Sequence, residues 1–150
     1  MSLVELKKIS KSYKDGSQNL EVLKSISLIV DKPEIVIVMG PSGSGKTTLL
    51  NIISTLDTPD SGDLLIKNDT FNYQNQSDID SMRSRFLGIL FQSNNLLPEF
   101  TILENLNIPY KLNNIDDHLN PKELLNVFQL SSKTHSFPSE LSAGELQRIS

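Results

Sequence analysis

The sequence predicts an α/β fold in which a buried strand runs through a glycine-rich turn into an amphipathic helix, and three observations carry that expectation. Ile35-Val36-Ile37-Val38-Met39 is apolar at every position, as a strand covered on both faces of a parallel sheet must be. Gly40-Pro41-Ser42-Gly43-Ser44-Gly45-Lys46-Thr47 follows directly. Leu49, Leu50, Ile52, Ile53 and Leu56 then recur at helical spacing. A flexible Gly/Ser linker would not stand clamped between two such elements.

Gly40 to Thr47 fits the pattern G-x-x-x-x-G-K-[ST] of a phosphate-binding loop with no mismatch. Glycines let the backbone curl so that successive N–H groups point into one concavity, which suits phosphate oxygens. In this pattern Lys46 reaches the β/γ oxygens of a nucleotide and the Thr47 hydroxyl ligates magnesium. Gly40, Ser42, Gly43, Ser44, Gly45, Lys46, Thr47 and Thr48 are therefore the expected nucleotide site, and the helix that follows adds its positive dipole end.

Ahead of this unit, Leu3 to Ile9 and Ile26 to Val30, separated by the turn-rich Lys14-Asp15-Gly16-Ser17, predict a short antiparallel β-layer. Behind it, Asp57-Thr58-Pro59-Asp60-Ser61-Gly62 is a turn cluster, Leu64-Leu65-Ile66 a strand, and residues 68–81 a polar loop. Phe86-Leu87-Gly88-Ile89-Leu90-Phe91 reads as a second buried strand ending at Gln92. From Ser93 the character turns helical. Thr101-Ile102-Leu103-Glu104 is a capping box, with Pro109 limiting its helix to about two turns. Asn120-Pro121 is a cap and first-position proline before Leu124, Leu125 and Phe128, and Ser142 with Glu145 opens one more helix.

Composition narrows the function classes. With 150 residues and 37% apolar content, the chain is long enough for one domain, or part of one. No apolar run approaches the ~20 residues that span a bilayer, and Met1-Ser2-Leu3-Val4-Glu5-Leu6-Lys7-Lys8 lacks the apolar core of a signal peptide, so a cytoplasmic location is expected. Zero cysteines exclude disulfides and thiolate metal sites. A net charge of −4 argues against nucleic acid as a partner. His118 and His135 have no companion ligand at metal spacing, and Asp116-Asp117 reads as a solvated pair.

With these residues in place the chain resembles the ATP-binding subunits of ABC transporters, from Tyr13 to Arg148. Leu141-Ser142-Ala143-Gly144-Glu145-Leu146-Gln147-Arg148 is similar to that family's signature motif, in which Ser142 and Gly144 would bind the γ-phosphate of ATP held by an opposite subunit. Gln92 matches the glutamine that contacts magnesium or the attacking water and faces the membrane subunit, and Tyr13 matches the aromatic that stacks on adenine. The resemblance implies a P-loop NTPase core with an antiparallel β-layer and an inserted helical subdomain, ATP and Mg²⁺ as ligands, a homodimer of ATP-binding subunits, and an integral-membrane permease that holds the protein at the inner face of the membrane.

Gln92-Ser93-Asn94-Asn95-Leu96-Leu97-Pro98-Glu99-Phe100-Thr101, with Glu104-Asn105 after it, resembles the lipoprotein-releasing, macrolide-export and cell-division type within the family. This implies a substrate that is a lipid or lipoprotein. Two departures stand out: Ala143 replaces the second signature glycine, and Lys32-Pro33-Glu34 replaces a glycine-glutamate turn. The expected layout is a β-layer and nucleotide core over 1–92, a helical subdomain over 93–141 and the start of the signature helix over 142–150. The family's acidic magnesium-supporting strand, its catalytic glutamate and its switch histidine would lie beyond Ser150, so the chain as it stands is expected to bind ATP without hydrolysing it. Two other classes compete: a soluble ABC protein acting on ribosomes or DNA, and a small P-loop kinase, which would need neither Gln92 nor Ser142.

Overall fold

The computed structural model describes residues 2–16, 18–70, 73, 75–113 and 120–150. Asp116, Asp117 and His118 lie outside them. The chain divides into two compact units, Met1–Gly88 and Ile89–Ser150, each with its own core.

The first unit begins with a long hairpin, β1 (Val4–Asp15) and β2 (Gln18–Val30), and β3 (Ser61–Ile66) pairs on the other side of β1. Both pairings are antiparallel, so the expected β-layer is present. It runs further than the apolar pattern suggested, because pairing continues through Tyr13–Leu20, Lys14–Asn19 and Asp15–Gln18 to a tight turn at Gly16. A hairpin that is open to solvent on one face needs no apolar residues there to keep its ladder. Helix α1 (Lys46–Ile53) follows the glycine loop and places Ile52 in a core with Leu6, Ile9, Leu23, Leu64, Ile66 and Met82. Full burial of a side chain such as Ile52 is worth about 1.5–3 kcal/mol.

Three expectations fail between Glu34 and Gln92. Residues 34–40 form no strand, and Ile35 and Ile37 are 92% and 75% exposed. A strand exists only with a partner for its N–H and C=O groups, and the β2-β1-β3 sheet does not include this segment. The second apolar run is likewise unpaired over 87–91, so Gln92 does not end a strand, and Phe86 instead closes a helix. That helix, α2 (Gln76–Phe86), replaces the C-terminal half of the expected loop. Asn75 caps it by accepting from the Ser77 N–H, Asp78 sits in its first turn and Arg83 and Arg85 in its last, and Ile79 and Met82 are buried. Capping and charge order outweigh a low apolar content.

The second unit packs α3 (Ile102–Asn113), α4 (Pro121–Val127) and α5 (Ala143–Ile149) around Ile102, Leu125, Leu130, Leu141 and Ile149. All three helix starts read from the sequence are present. Thr101 and Glu104 exchange hydrogen bonds, Asn120 accepts from the Lys122 N–H, and Phe128 ends α4 as its C-cap. Pro109 does not stop α3, which continues to Asn113. A proline removes one intrahelical bond, and the packing of α3 keeps the helix going past it.

Candidate nucleotide-binding site

The phosphate loop owes its path to two left-handed glycines, Gly43 (φ 78°) and Gly45 (φ 87°). At Gly45 the requirement is also spatial. A Cβ there would sit 2.9 Å from Val22 Cγ1 and 3.0 Å from Leu23 Cδ2, so the loop is seated against β2. Gly45 is the N-cap of α1 and offers no side-chain acceptor, and the first turn of α1 holds no acidic residue. Among the described residues nothing accepts the backbone N–H of Gly43, Gly45, Lys46, Thr47 or Thr48. Five donors without an internal acceptor lie at or beside the positive end of a helix, which suits an anion.

Lys46 curls back over this loop. Its ammonium donates to the carbonyls of Gly40 (2.9 Å) and Pro41 (2.6 Å) and lies 3.5 Å from Ser44 Oγ. It pairs with no carboxylate among the described residues, so its charge remains available to phosphate. Ser42 is exposed in the turn, Thr47 is exposed on the first turn of α1, and Thr48 is half-buried beside it.

Tyr13 belongs to the same unit, on β1, and is 39% exposed as a residue. Its hydroxyl donates to Asp57 Oδ2 at 2.6 Å, and the Lys11 ammonium donates to Asp57 Oδ1 at 2.7 Å and to the Thr58 carbonyl at 2.6 Å. The Lys11 ammonium also stands 5.3 Å from the centre of the Tyr13 ring. Hydrogen bonding to the Asp57 carboxylate raises the Tyr13 phenol above its ordinary range. Partial burial pushes Asp57 up, but the bonds from Lys11, Tyr13 and the Thr58 N–H outweigh it and hold the carboxyl below its usual value. Sequence reasoning missed Lys11 and Asp57, because residues 44 and 46 positions apart leave no local pattern.

Gln92, Ser142 and Gly144 belong to the second unit. Gln92 is exposed and, with Phe91, Ser93 and Asn94, faces Ala143, Leu146 and Gln147 of α5 across a cavity of about 340 Å³. Ser142 engages its own helix: its hydroxyl donates to Glu145 Oε2 (2.7 Å) and accepts from the Glu145 N–H (3.3 Å), while the Ser142 N–H donates to the same carboxylate (2.8 Å). These bonds hold the Glu145 carboxyl below its ordinary pKa. Gly144 is exposed, with nothing within 4 Å of where a Cβ would stand.

The segment after Gln92 has an internal clamp. Asn105, only 8% exposed, accepts the Leu97 N–H at 2.7 Å, and its amide nitrogen lies 3.0–3.1 Å from the carbonyls of Leu97, Phe100 and Thr101. This gives a physical reason for the Leu-Leu-Pro-Glu-Phe-Thr run and its following Glu-Asn: one buried amide fixes the whole turn.

A glycine loop of this shape at a helix start, carrying Lys46 and Thr47, defines a nucleotide-binding protein of the P-loop class. Residues 23–150 match the ABC transporter family, and the chain belongs to it. It is 40% identical over 151 aligned positions to the lipoprotein-releasing system ATP-binding protein LolD of Desulfotalea psychrophila, covering 99% of this chain and 67% of that protein. To the LolD protein of Porphyromonas gingivalis it is 43% identical, covering 98% of this chain and 67% of that one. In structure it is similar to an ATP-binding cassette solved as a dimer in a post-hydrolysis state with ADP and Pi, with a TM-score of 0.86 and 35% identity over 97% of this chain and 66% of that one. The chain thus spans about two thirds of the length of these relatives, and the ABC ATPase fold expected from the sequence is the fold it shares with them.

Proposed function

We propose that the chain is the ATP-binding part of an ABC-type ATPase that works with a membrane permease to move a lipid or lipoprotein substrate, located in the cytoplasm at the inner face of the membrane. The observation that carries the reading is the set of unpaired loop N–H groups at the start of α1 together with the Lys46 ammonium, in a chain of this family. The LolD relatives support the lipoprotein assignment, and no helix among the described residues is long and apolar enough to cross a membrane, which fits a separate membrane partner.

The loop donors and Lys46 hold the β- and γ-phosphates and favour the charge that builds on them as the terminal phosphate leaves. Tyr13 offers its ring to adenine. The Thr47 oxygen suits a hard cation, and Mg²⁺ held at it would neutralise phosphate charge; the amide oxygen of Gln92, in the second unit, is by its chemistry also a ligand for such an ion. Ser142 and Gly144 serve the γ-phosphate of a nucleotide on a second copy, which requires the Ser142 hydroxyl to turn from Glu145 toward the partner. Gln92, beside α5, relays that closure to the permease.

Titration with a fluorescent ATP analogue tests the core of this reading. Lys46→Ala should weaken binding roughly ten- to hundredfold, since a charge-assisted contact contributes about 1.5–3 kcal/mol. Unchanged affinity would remove the phosphate-loop assignment.

A further inference from the structure

We propose that Asp57 is a positioning residue for the adenine platform: it fixes the Tyr13 ring by accepting its hydroxyl, and Lys11 in turn holds Asp57 in place. This rests on reading Tyr13 as the surface that stacks on the base. Three bonds make the device. Tyr13 donates to one Asp57 oxygen at 2.6 Å, Lys11 donates to the other at 2.7 Å, and the Thr58 N–H donates to that second oxygen at 2.7 Å. With both carboxylate oxygens engaged, neither Asp57 nor the phenol is free to turn.

The place of Asp57 in the chain gives these bonds their meaning. It lies four residues past Ile53, the last residue of α1, in a turn locked by Leu56 N–H and Asp57 N–H donating to the Asn51 carbonyl at 2.8 and 3.1 Å. Arg83 fastens the same turn, donating to the Thr55 carbonyl at 2.8 Å and lying 3.3 Å from its hydroxyl. The helix whose start presents the phosphate donors therefore leads, through this locked turn, to the residue that grips Tyr13. One rigid piece sets the spacing between the phosphate cradle and the base platform, so a nucleotide meets both at a fixed separation. An exposed ring on a strand has two torsions to lose on stacking, and tethering its far end removes that loss beforehand.

The experiment compares ATP with inorganic tripolyphosphate, which has phosphates and no base, by calorimetric titration. Tyr13→Phe keeps the ring and removes the tether; Asp57→Ala removes the acceptor. Each should weaken ATP about three- to tenfold, leave tripolyphosphate affinity unchanged, and combine to less than the sum of the two losses, because both remove the Tyr13–Asp57 bond. Asp57→Asn, which keeps an oxygen in position, should recover part of the loss. Tyr13→Ala separates the two readings. If it weakens ATP while Tyr13→Phe and Asp57→Ala bind ATP normally, the ring stacks without the tether and the positioning role falls. Should Tyr13→Ala bind ATP normally, the adenine platform itself falls. A loss of tripolyphosphate binding in Asp57→Ala that equals its loss of ATP, with Tyr13→Phe unaffected, would make Asp57 a support for the whole loop and overturn the proposal.

Discussion

The two helix starts to which the family reading assigns phosphate are built in opposite ways. At α1 the N-cap is Gly45, which has no side chain to offer, the first turn has no acid, and among the described residues the N–H groups of Gly43, Gly45, Lys46, Thr47 and Thr48 have no acceptor. At α5 the N-cap is Ser142, and Glu145 closes the turn with a reciprocal capping box. An open start holds an anion without rearrangement, because its donors are already directed and cost nothing to release. A closed start is a stable helix end first, and it can take a phosphate only by exchanging an internal acceptor for an external one. Under the proposed function, α1 would hold phosphate by itself and α5 would take one only when a second copy presents it.

The largest expected effect tests that contrast directly. Ser142→Asp should keep an acceptor for the Glu145 N–H, losing only the bond the hydroxyl donates to the Glu145 carboxylate, and set a negative charge against the incoming phosphate. ATP affinity of the single chain should stay within about twofold, and ATP-dependent dimerisation, followed by sedimentation, should be lost. Ser142→Ala should lose dimerisation as well, together with about 1 kcal/mol of stability from the missing cap. A Ser142→Asp chain that dimerises like the unmodified one would reduce Ser142 to a helix cap.

Next in size is Asn105→Ala. It leaves the Leu97 N–H and three carbonyls without their buried partner and should cost the second unit about 1–3 kcal/mol in urea unfolding. ATP affinity should not change, because the phosphate loop and Tyr13 belong to the other unit. A parallel fall in ATP affinity would show that the loop depends on the Gln92 segment, and the open and closed starts would then not be independent.

The smallest effect is in pH. Asp57 ionises below its ordinary value of 3.8, so its bonds to Lys11 and Tyr13 add stability above that value, and this is lost as the pH falls through the lowered one. With the carboxylate about a quarter exposed, solvent screens much of the gain. Acid unfolding of the first unit should accordingly shift to slightly higher pH after Lys11→Met, which removes the ion-pair partner, while Lys133→Met in the second unit should leave it unmoved.

Short-range signals were legible in the sequence because each is a bond between residues no more than a few positions apart. Gly43 and Gly45 supply the loop backbone, and Thr101 with Glu104, Asn120 with Pro121, and Ser142 with Glu145 mark helix starts wherever the chain is placed. The family followed from the same local runs. Tertiary structure decided the rest. Ile35 to Met39 has the composition of a central strand, but pairing needs a neighbour the pattern cannot supply, and the segment is left without one. Pro109 is a helix breaker by itself and is carried through α3 by packing. Asn105 reads as an ordinary polar helix residue until the turn from Leu97 to Thr101 folds over it. The grip of Asp57 on Tyr13 exists only because the hairpin and the end of α1 meet in space, and side-chain bonds across more than forty residues are set by where the backbone goes, not by the order of the amino acids along it.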